Sequence, residues 1–236
     1  MLEISHLSAA YPGKQVLHDV SLQAPAATVH GIVGGNGAGK TTFFNTVYGF
    51  HPAAGGSIQW SGRPLERADI GYLETDNFFY SAITGREYLR LFPGISRDFP
   101  ADEWAELLHL PLDEWIDHYS TGMKKKLALL AVIKTGKPLL LLDEPYNGLD
   151  LESQYLLRDI VLRLKAQGRT ILLSSHILET LTPVCDAIYY LAAGGIQQVA
   201  TPAGYAAFEA FLVKEMQIKF NEGLDRVMEQ TLYNMR

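Results

Sequence analysis

Short apolar runs separated by glycine and proline dominate the front of the chain. Residues 16–22 alternate apolar and polar side chains, as a strand with one buried face requires, and Tyr11-Pro12-Gly13-Lys14 before them has turn composition. The apolar stretch 28–33 predicts a strand, and 42–48 predicts a helix stopped by Gly49. Residues 58–60 and 70–73 read as a second strand group flanking the turn-prone Ser61-Gly62-Arg63-Pro64.

The pattern becomes helical between about Thr84 and Lys134. Thr84-Gly85-Arg86-Glu87 has capping-box spacing, 101–108 is a short amphipathic piece, and Ser120 caps a longer helix over 123–134, ended by Gly136. Strand and helix then alternate. Residues 139–142 predict a buried strand, 151–165 a helix closed by Gly168, and 170–173 a strand. A brief helix at 177–181 and a strand at 187–191 follow, and Thr201-Pro202 places proline at a helix start. The pattern is weakest beyond Gln217. The reading is α/β: a parallel-sheet core with antiparallel strand at the front, interrupted by a helical insertion.

A chain of 236 residues is one large domain or two small ones. A formal charge of −6 argues against a broad nucleic-acid surface, so no nucleic-acid partner is expected. The single cysteine, Cys185, allows no internal disulfide and fits a reducing cytoplasm, where it packs as a small buried hydrophobe. The first residues lack signal-peptide features, and no apolar run approaches the roughly 18 to 20 residues that span a bilayer. The chain is expected to reach a membrane only by docking onto something else.

The chemistry concentrates at Gly34, Gly35, Asn36, Gly37, Ala38, Gly39, Lys40, Thr41 and Thr42, a complete G-x-x-x-x-G-K-[ST] phosphate loop between a strand and a helix. Its glycines let backbone N–H groups converge on an anion, and the helix start adds partial positive charge. Lys40 is expected to neutralise the terminal phosphates of a nucleoside triphosphate, and the Thr41 hydroxyl to sit on Mg²⁺. The run Leu139-Leu140-Leu141-Leu142-Asp143-Glu144 delivers two carboxylates at a strand end. Asp143 suits Mg²⁺, and Glu144 suits a general base for water. His176, after the next strand, is placed to meet the terminal phosphate. Ser120-Thr121-Gly122 opens a helix and offers a second anion site, which suggests a nucleotide shared between two chains.

In this order the motifs resemble the nucleotide-binding subunit of ATP-binding cassette (ABC) transporters, over nearly the whole length to about Gly195. The resemblance implies an ABC-type P-loop ATPase with a parallel-sheet core, an antiparallel β subdomain and an inserted helical subdomain. The single domain would divide into a core of 1–77 and 135–200, an insertion of 78–134 and a helical extension of 201–236. Tyr119-Ser120-Thr121-Gly122-Met123 resembles the family signature, used in trans. Asn147-Gly148-Leu149-Asp150 resembles the loop by which two subunits communicate, with Asp150 its carboxylate, and Ser174-Ser175-His176 the switch histidine. Tyr11 stands where the family stacks a ring on adenine.

The chain also departs from that family. Thr121 and Met123 replace the usual glycine and glutamine, a form that resembles stand-alone subunits serving exporters. Where members place a glutamine against Mg²⁺, this chain has Glu74 or Thr75. Lys124-Lys125-Lys126 is expected to be a solvated helix face. The insertion is short, yet it should carry the surface that receives a membrane subunit.

The expected activity is hydrolysis of ATP with Mg²⁺, powering transport, in the export direction, through separate integral membrane permease subunits. The expected partner is a second ABC ATPase subunit, as homodimer or heterodimer, and the expected location is the inner face of the cell membrane, held through the permease. The alternatives are a soluble assembly factor of the iron–sulfur type and a weakly hydrolysing, nucleotide-gated module.

Overall fold

The computed structural model describes residues 1–92, 94 and 99–234. By its internal contacts the chain separates into two units, Met1–Val199 and Ala200–Arg236.

The first unit opens with β1 (Leu2–Tyr11) and β2 (Lys14–Ala24), an antiparallel pair. Along both, buried and exposed side chains alternate, because only one face of this sheet is covered. The alternation is interrupted at His6 and Asp19, both in the left-handed region (φ 54° and 53°), where the register of the pair shifts. The buried β3 (Val29–Val33) leads into α1 (Lys40–Tyr48), which stops at Gly49 in the left-handed conformation. β4 (Gly55–Trp60) pairs with β1, and β5 (Arg63–Pro64) pairs with β4, so the first sheet runs β2-β1-β4-β5.

β6 (Ile70–Leu73) does not join that sheet. The sequence pattern grouped it with residues 58–60, but it lies in the second sheet, parallel to β7 (Leu139–Leu142). Local hydrophobicity shows that a segment is extended; it does not choose the partner strand. Between β6 and β7 the described residues form three α-helices, α2 (Gly85–Arg90), α3 (Ala101–Leu108) and α4 (Thr121–Thr135). Thr84 and Glu87 form the anticipated capping box, and the Ser120 hydroxyl accepts from Met123 N, a cap that contributes about 1 kcal/mol.

α5 (Leu151–Ala166), β8 (Thr170–Ser175), β9 (Ala187–Ala192) and β10 (Gly195–Ala200) complete the second sheet, in the order β10-β9-β3-β8-β7-β6. The helix foreseen at 177–181 is a single 3-10 turn at Leu178–Thr180. β10 had no signal in its sequence, which has two glutamines at its centre. Every residue of β3, β7 and β8 is buried, as expected for strands covered on both faces. Phe43 and Phe44 of α1 lie in one core cluster with Leu2, Ile4 and Leu7 of β1 and with Leu139, Leu141 and Leu172 of the parallel sheet. Each such side chain contributes roughly 1.5–3 kcal/mol by leaving water. α1, which opens at the phosphate loop, is therefore clamped between both sheets.

In the second unit Pro202 opens a 3-10 turn, Pro202–Gly204, that runs into α6 (Tyr205–Asn234). The sequence pattern is weakest beyond Gln217, where the helix continues to Asn234.

His30 on β3 is a titratable group inside this core. It is 4% exposed, its Nδ1 has no partner, and its ring stacks on Tyr189. Burial pulls its pKa down to about 4, with Asp186 opposing and Lys165 assisting. In the unfolded chain the imidazole takes a proton near pH 6.5, while the folded chain resists until about 4. Stability is therefore complete above pH 6.5 and falls as pH drops toward 4, by about 3 kcal/mol at most. His30→Gln should lose this part of the pH dependence. Urea midpoints at pH 7.5 and pH 5 should lie closer together in the variant than in the parent.

Candidate functional site

The site grows from the join between β3 and α1. Gly37 and Gly39 have φ of 77° and 107°, a backbone that side chains rarely adopt, so the loop can curl only with glycine there. Gly34 meets a different demand: a Cβ on it would collide with the carbonyl oxygen of Leu191 on β9. The helix start points into a cavity of about 780 Å³. Its lining brings the loop together with Tyr11, Thr75, Glu144 and His176, residues far apart in sequence.

Lys40 is buried, at 7% exposure. Its ammonium donates to the Gly34 carbonyl at 2.8 Å and lies 3.2 Å from Glu144 Oε1. The other carboxylate oxygen of Glu144 is 2.9 Å from His176 Nδ1. Glu144 thus joins the phosphate-loop lysine to His176. Its backbone is left-handed, φ 49°, a conformation that costs on the order of 1–2 kcal/mol for a residue with a side chain. Glu144 N donates to Ser174 Oγ at 2.8 Å, which helps hold it there.

Asp143 has no exposed surface. It accepts short hydrogen bonds from the hydroxyls of Ser174 on β8 and Thr75 just beyond β6, the latter at 2.6 Å. The parallel pairing of β6, β7 and β8 ends at Leu73, Leu142 and Leu173, so Asp143 and Ser174 follow it by one residue and Thr75 by two, its hydroxyl reaching across to Asp143. Thr75, rather than Glu74, therefore faces the cavity and the Asp143 carboxylate. Burial and then the charge of Asp143 raise the pKa of the Glu74 carboxyl. Thr41, Asp143 and Thr75 offer only oxygen donors, which suits a hard cation such as Mg²⁺. Among the described residues no cluster of three or more His, Cys, Asp or Glu could hold a metal ion. A cation held by these residues would need further oxygen ligands, such as those of a phosphate.

Tyr11 ends β1, and its ring is half exposed and stacked on His51, centroids 4.3 Å apart at 29°. The ring lies at the wall of the cavity.

Ser120, Thr121 and Gly122 do not reach this cavity. They line another of about 430 Å³ together with Asp150, which caps α5 by accepting from Ser153 N. A Cβ on Gly122 would lie 3.0 Å from the Gly148 carbonyl oxygen, and one on Gly148 would lie 3.3 Å from Thr121 Cγ2. The two motifs therefore pack on each other within one chain. The two cavities share no lining residue among those described.

In the sequence Lys14 has only a place in a turn, and Asn147 and Ser174 only places within motifs; Lys14 and Asn147 line the first cavity, and Ser174 holds Asp143. Lys14 could have been inferred from its place in the turn beside Tyr11. Lys125 was misjudged: it is 6% exposed and donates to the carbonyls of Glu74 and Thr75. Desolvation pulls its pKa below the ordinary lysine value, against the pull of Asp143, Asp76 and Glu144.

Residues 17–147 match the family model described as ABC transporter. The uncharacterized ABC transporter ATP-binding protein YhaQ of Bacillus subtilis is 31% identical over 205 residues, covering 82% of this chain and 69% of YhaQ. The solved ATP-binding subunit of an ABC transporter superimposes with a TM-score of 0.81 at 28% identity, covering 94% of this chain and 99% of that one. The cassette MJ0796, solved as a dimer bound to ADP and Pi, gives 0.75 at 18% identity over 86% of this chain and 99% of its own, a likeness of fold.

The close approach at Gly34 separates two neighbouring glycines. Gly34→Ala should destabilise the fold by about 1–3 kcal/mol and weaken nucleotide affinity, because the Leu191 backbone cannot step aside. Gly35→Ala, with nothing within 4 Å of its Cβ, should melt within a degree or two of the parent. Thermal unfolding and nucleotide titration of both variants check this.

Proposed function

The chain belongs to the ABC transporter family of ATP-binding proteins, and from that premise we propose that it hydrolyses ATP in a two-chain assembly to power a separate membrane permease. The observation that carries this reading is the division of the site. The catalytic cavity and the Ser120–Asp150 cavity lie apart in one chain, each lacking what the other holds. Two chains placed head to tail would bring the phosphate loop of one against Ser120 and Gly122 of the other. Asp150 and Gly148 would lie at the same junction. The dimer of MJ0796 with ADP and Pi supports such an arrangement.

The residues have separable tasks. Tyr11 would stack on adenine, and the amides of residues 34–42 would hold the phosphates. Thr41, Asp143 and Thr75 would hold Mg²⁺, which when bound neutralises phosphate charge. Lys40 now leans on Glu144 and the Gly34 carbonyl. Phosphate oxygens would draw its ammonium away and free the Glu144 carboxylate to accept a proton from water. That water attacks the γ-phosphorus in line as the bond to the bridging oxygen breaks and ADP departs. His176 orients Glu144 from the other side.

No helix among the described residues is long and apolar enough to cross a membrane. Attachment would come through the permease, at the inner face of the cell membrane. The inserted helical segment, 78–134, would carry the docking surface. We assign the export direction from the Ser120–Met123 signature. The bonded Lys40–Glu144–His176 arrangement favours an enzyme over a nucleotide-gated module.

Glu144→Gln should bind ATP with near-parental affinity while phosphate release falls about 100-fold or more. Near-parental turnover would remove Glu144 from its role. In the parent protein, turnover per chain should rise with protein concentration as dimers form. A rate independent of concentration in strictly monomeric samples would defeat the two-chain site.

A further inference from the structure

Three consecutive lysines at the start of a helix are ordinarily a solvated face, but one of these is not. Lys125 shares a helical face with Ala128, Leu129 and Val132, at spacings of three, four and seven, and all four are buried. That face packs on β6: a Cβ on Gly71 would lie 3.0 Å from Val132 Cγ1. Only a long side chain with its own hydrogen-bond partners can place an ammonium there.

Lys125 finds those partners on the backbone. Its Nζ donates to the carbonyls of Thr75 at 2.7 Å and Glu74 at 3.1 Å. The Asn77 side chain donates to the same Glu74 carbonyl at 3.0 Å. Thr75 is therefore gripped from two sides, its carbonyl by Lys125 and its hydroxyl by Asp143. The helix that carries Lys125 is also the one whose tip is Ser120, Thr121 and Gly122.

We propose that Lys125 is a positioning residue that ties the Ser120 helix tip to the Thr75–Asp143 corner of the nucleotide cavity in the same chain. In the two-chain assembly the tip serves the partner's nucleotide while Thr75 serves the chain's own. One ammonium then makes the geometry of each composite site depend on the occupancy of the other. Such coupling is reciprocal: an effect of site one on site two implies the converse. The assembly part of this inference rests on the two-chain reading given above; the grip on Thr75 does not.

The test uses the full chain with Lys125→Met, which keeps length and apolar contact, and Lys125→Arg, which keeps the donors. In nucleotide-free protein, amide hydrogen exchange over residues 74–80 should accelerate at least fivefold in Lys125→Met and return toward parental rates in Lys125→Arg. In a Glu144→Gln background, sedimentation with ATP and Mg²⁺ should show dimer affinity at least tenfold weaker for Lys125→Met. The affinity of the isolated monomer for a fluorescent ATP analogue should stay within twofold, and Lys125→Arg should restore dimer affinity. Exchange within twofold of the parent overturns the grip. Altered exchange with unaltered dimer affinity overturns the coupling. If Glu144→Gln with Lys125 intact forms no dimer with ATP, the two-chain reading fails and the coupling with it. The exchange result still decides the grip.

Discussion

A carboxylate with no exposed surface must be hydrogen-bonded or paired, and the rest of the site follows from how Asp143 meets that demand. Its donors are hydroxyls from the strands on either side, Ser174 on β8 and Thr75 beyond β6. They reach it because β7 lies between those strands, with all three parallel and in register. The same Ser174 hydroxyl receives the Glu144 amide and helps keep that residue in its left-handed conformation. Burying one charge at a strand end thus sets the aim of the neighbouring Glu144 carboxylate and the lean of Lys40. Asp143 follows directly on Leu139, Leu140, Leu141 and Leu142, a strand buried along its whole length, which carries the carboxylate into the interior.

What could be read in the sequence was whatever is local. The phosphate loop needs only consecutive residues and its flanking strand and helix, and the structure has all of them. The Ser120 cap, the Thr84 capping box and the Gly136 stop are equally local, and each is present. Relations between strands were beyond reach. Nothing in residues 70–73 says that their partner is β7 rather than β4, and so nothing decided between Glu74 and Thr75 at the cavity wall. Lys125 is a different kind of miss. Its spacing to Ala128, Leu129 and Val132 was visible, but the charge run around it outweighed the helical period.

The inserted helices give the molecule its second character. The β3–α1 corner is fixed by packing against both sheets, with Phe43 and Phe44 in their shared core. The Ser120 tip is fixed by contacts of another kind, with Gly122 and Thr121 against Gly148 and with Lys125 on backbone carbonyls. Hydrogen bonds to a ribbon of chain and one close glycine contact exchange partners more easily than an interdigitated core does. The rigid corner keeps its shape through packing, while the tip rests on contacts that rearrange more readily.

The contact between Gly34 and the Leu191 carbonyl gives β9 a role that its own side chains conceal. No residue of that strand lines the cavity, yet the loop's first glycine rests directly on its backbone. Substitutions that shift Ile188, Tyr189 or Leu191 by a few tenths of an ångström would be felt first as poorer grip on phosphate. A genetic screen for inactive transporters would then collect lesions in this strand among its strongest hits, though none touches a reacting atom.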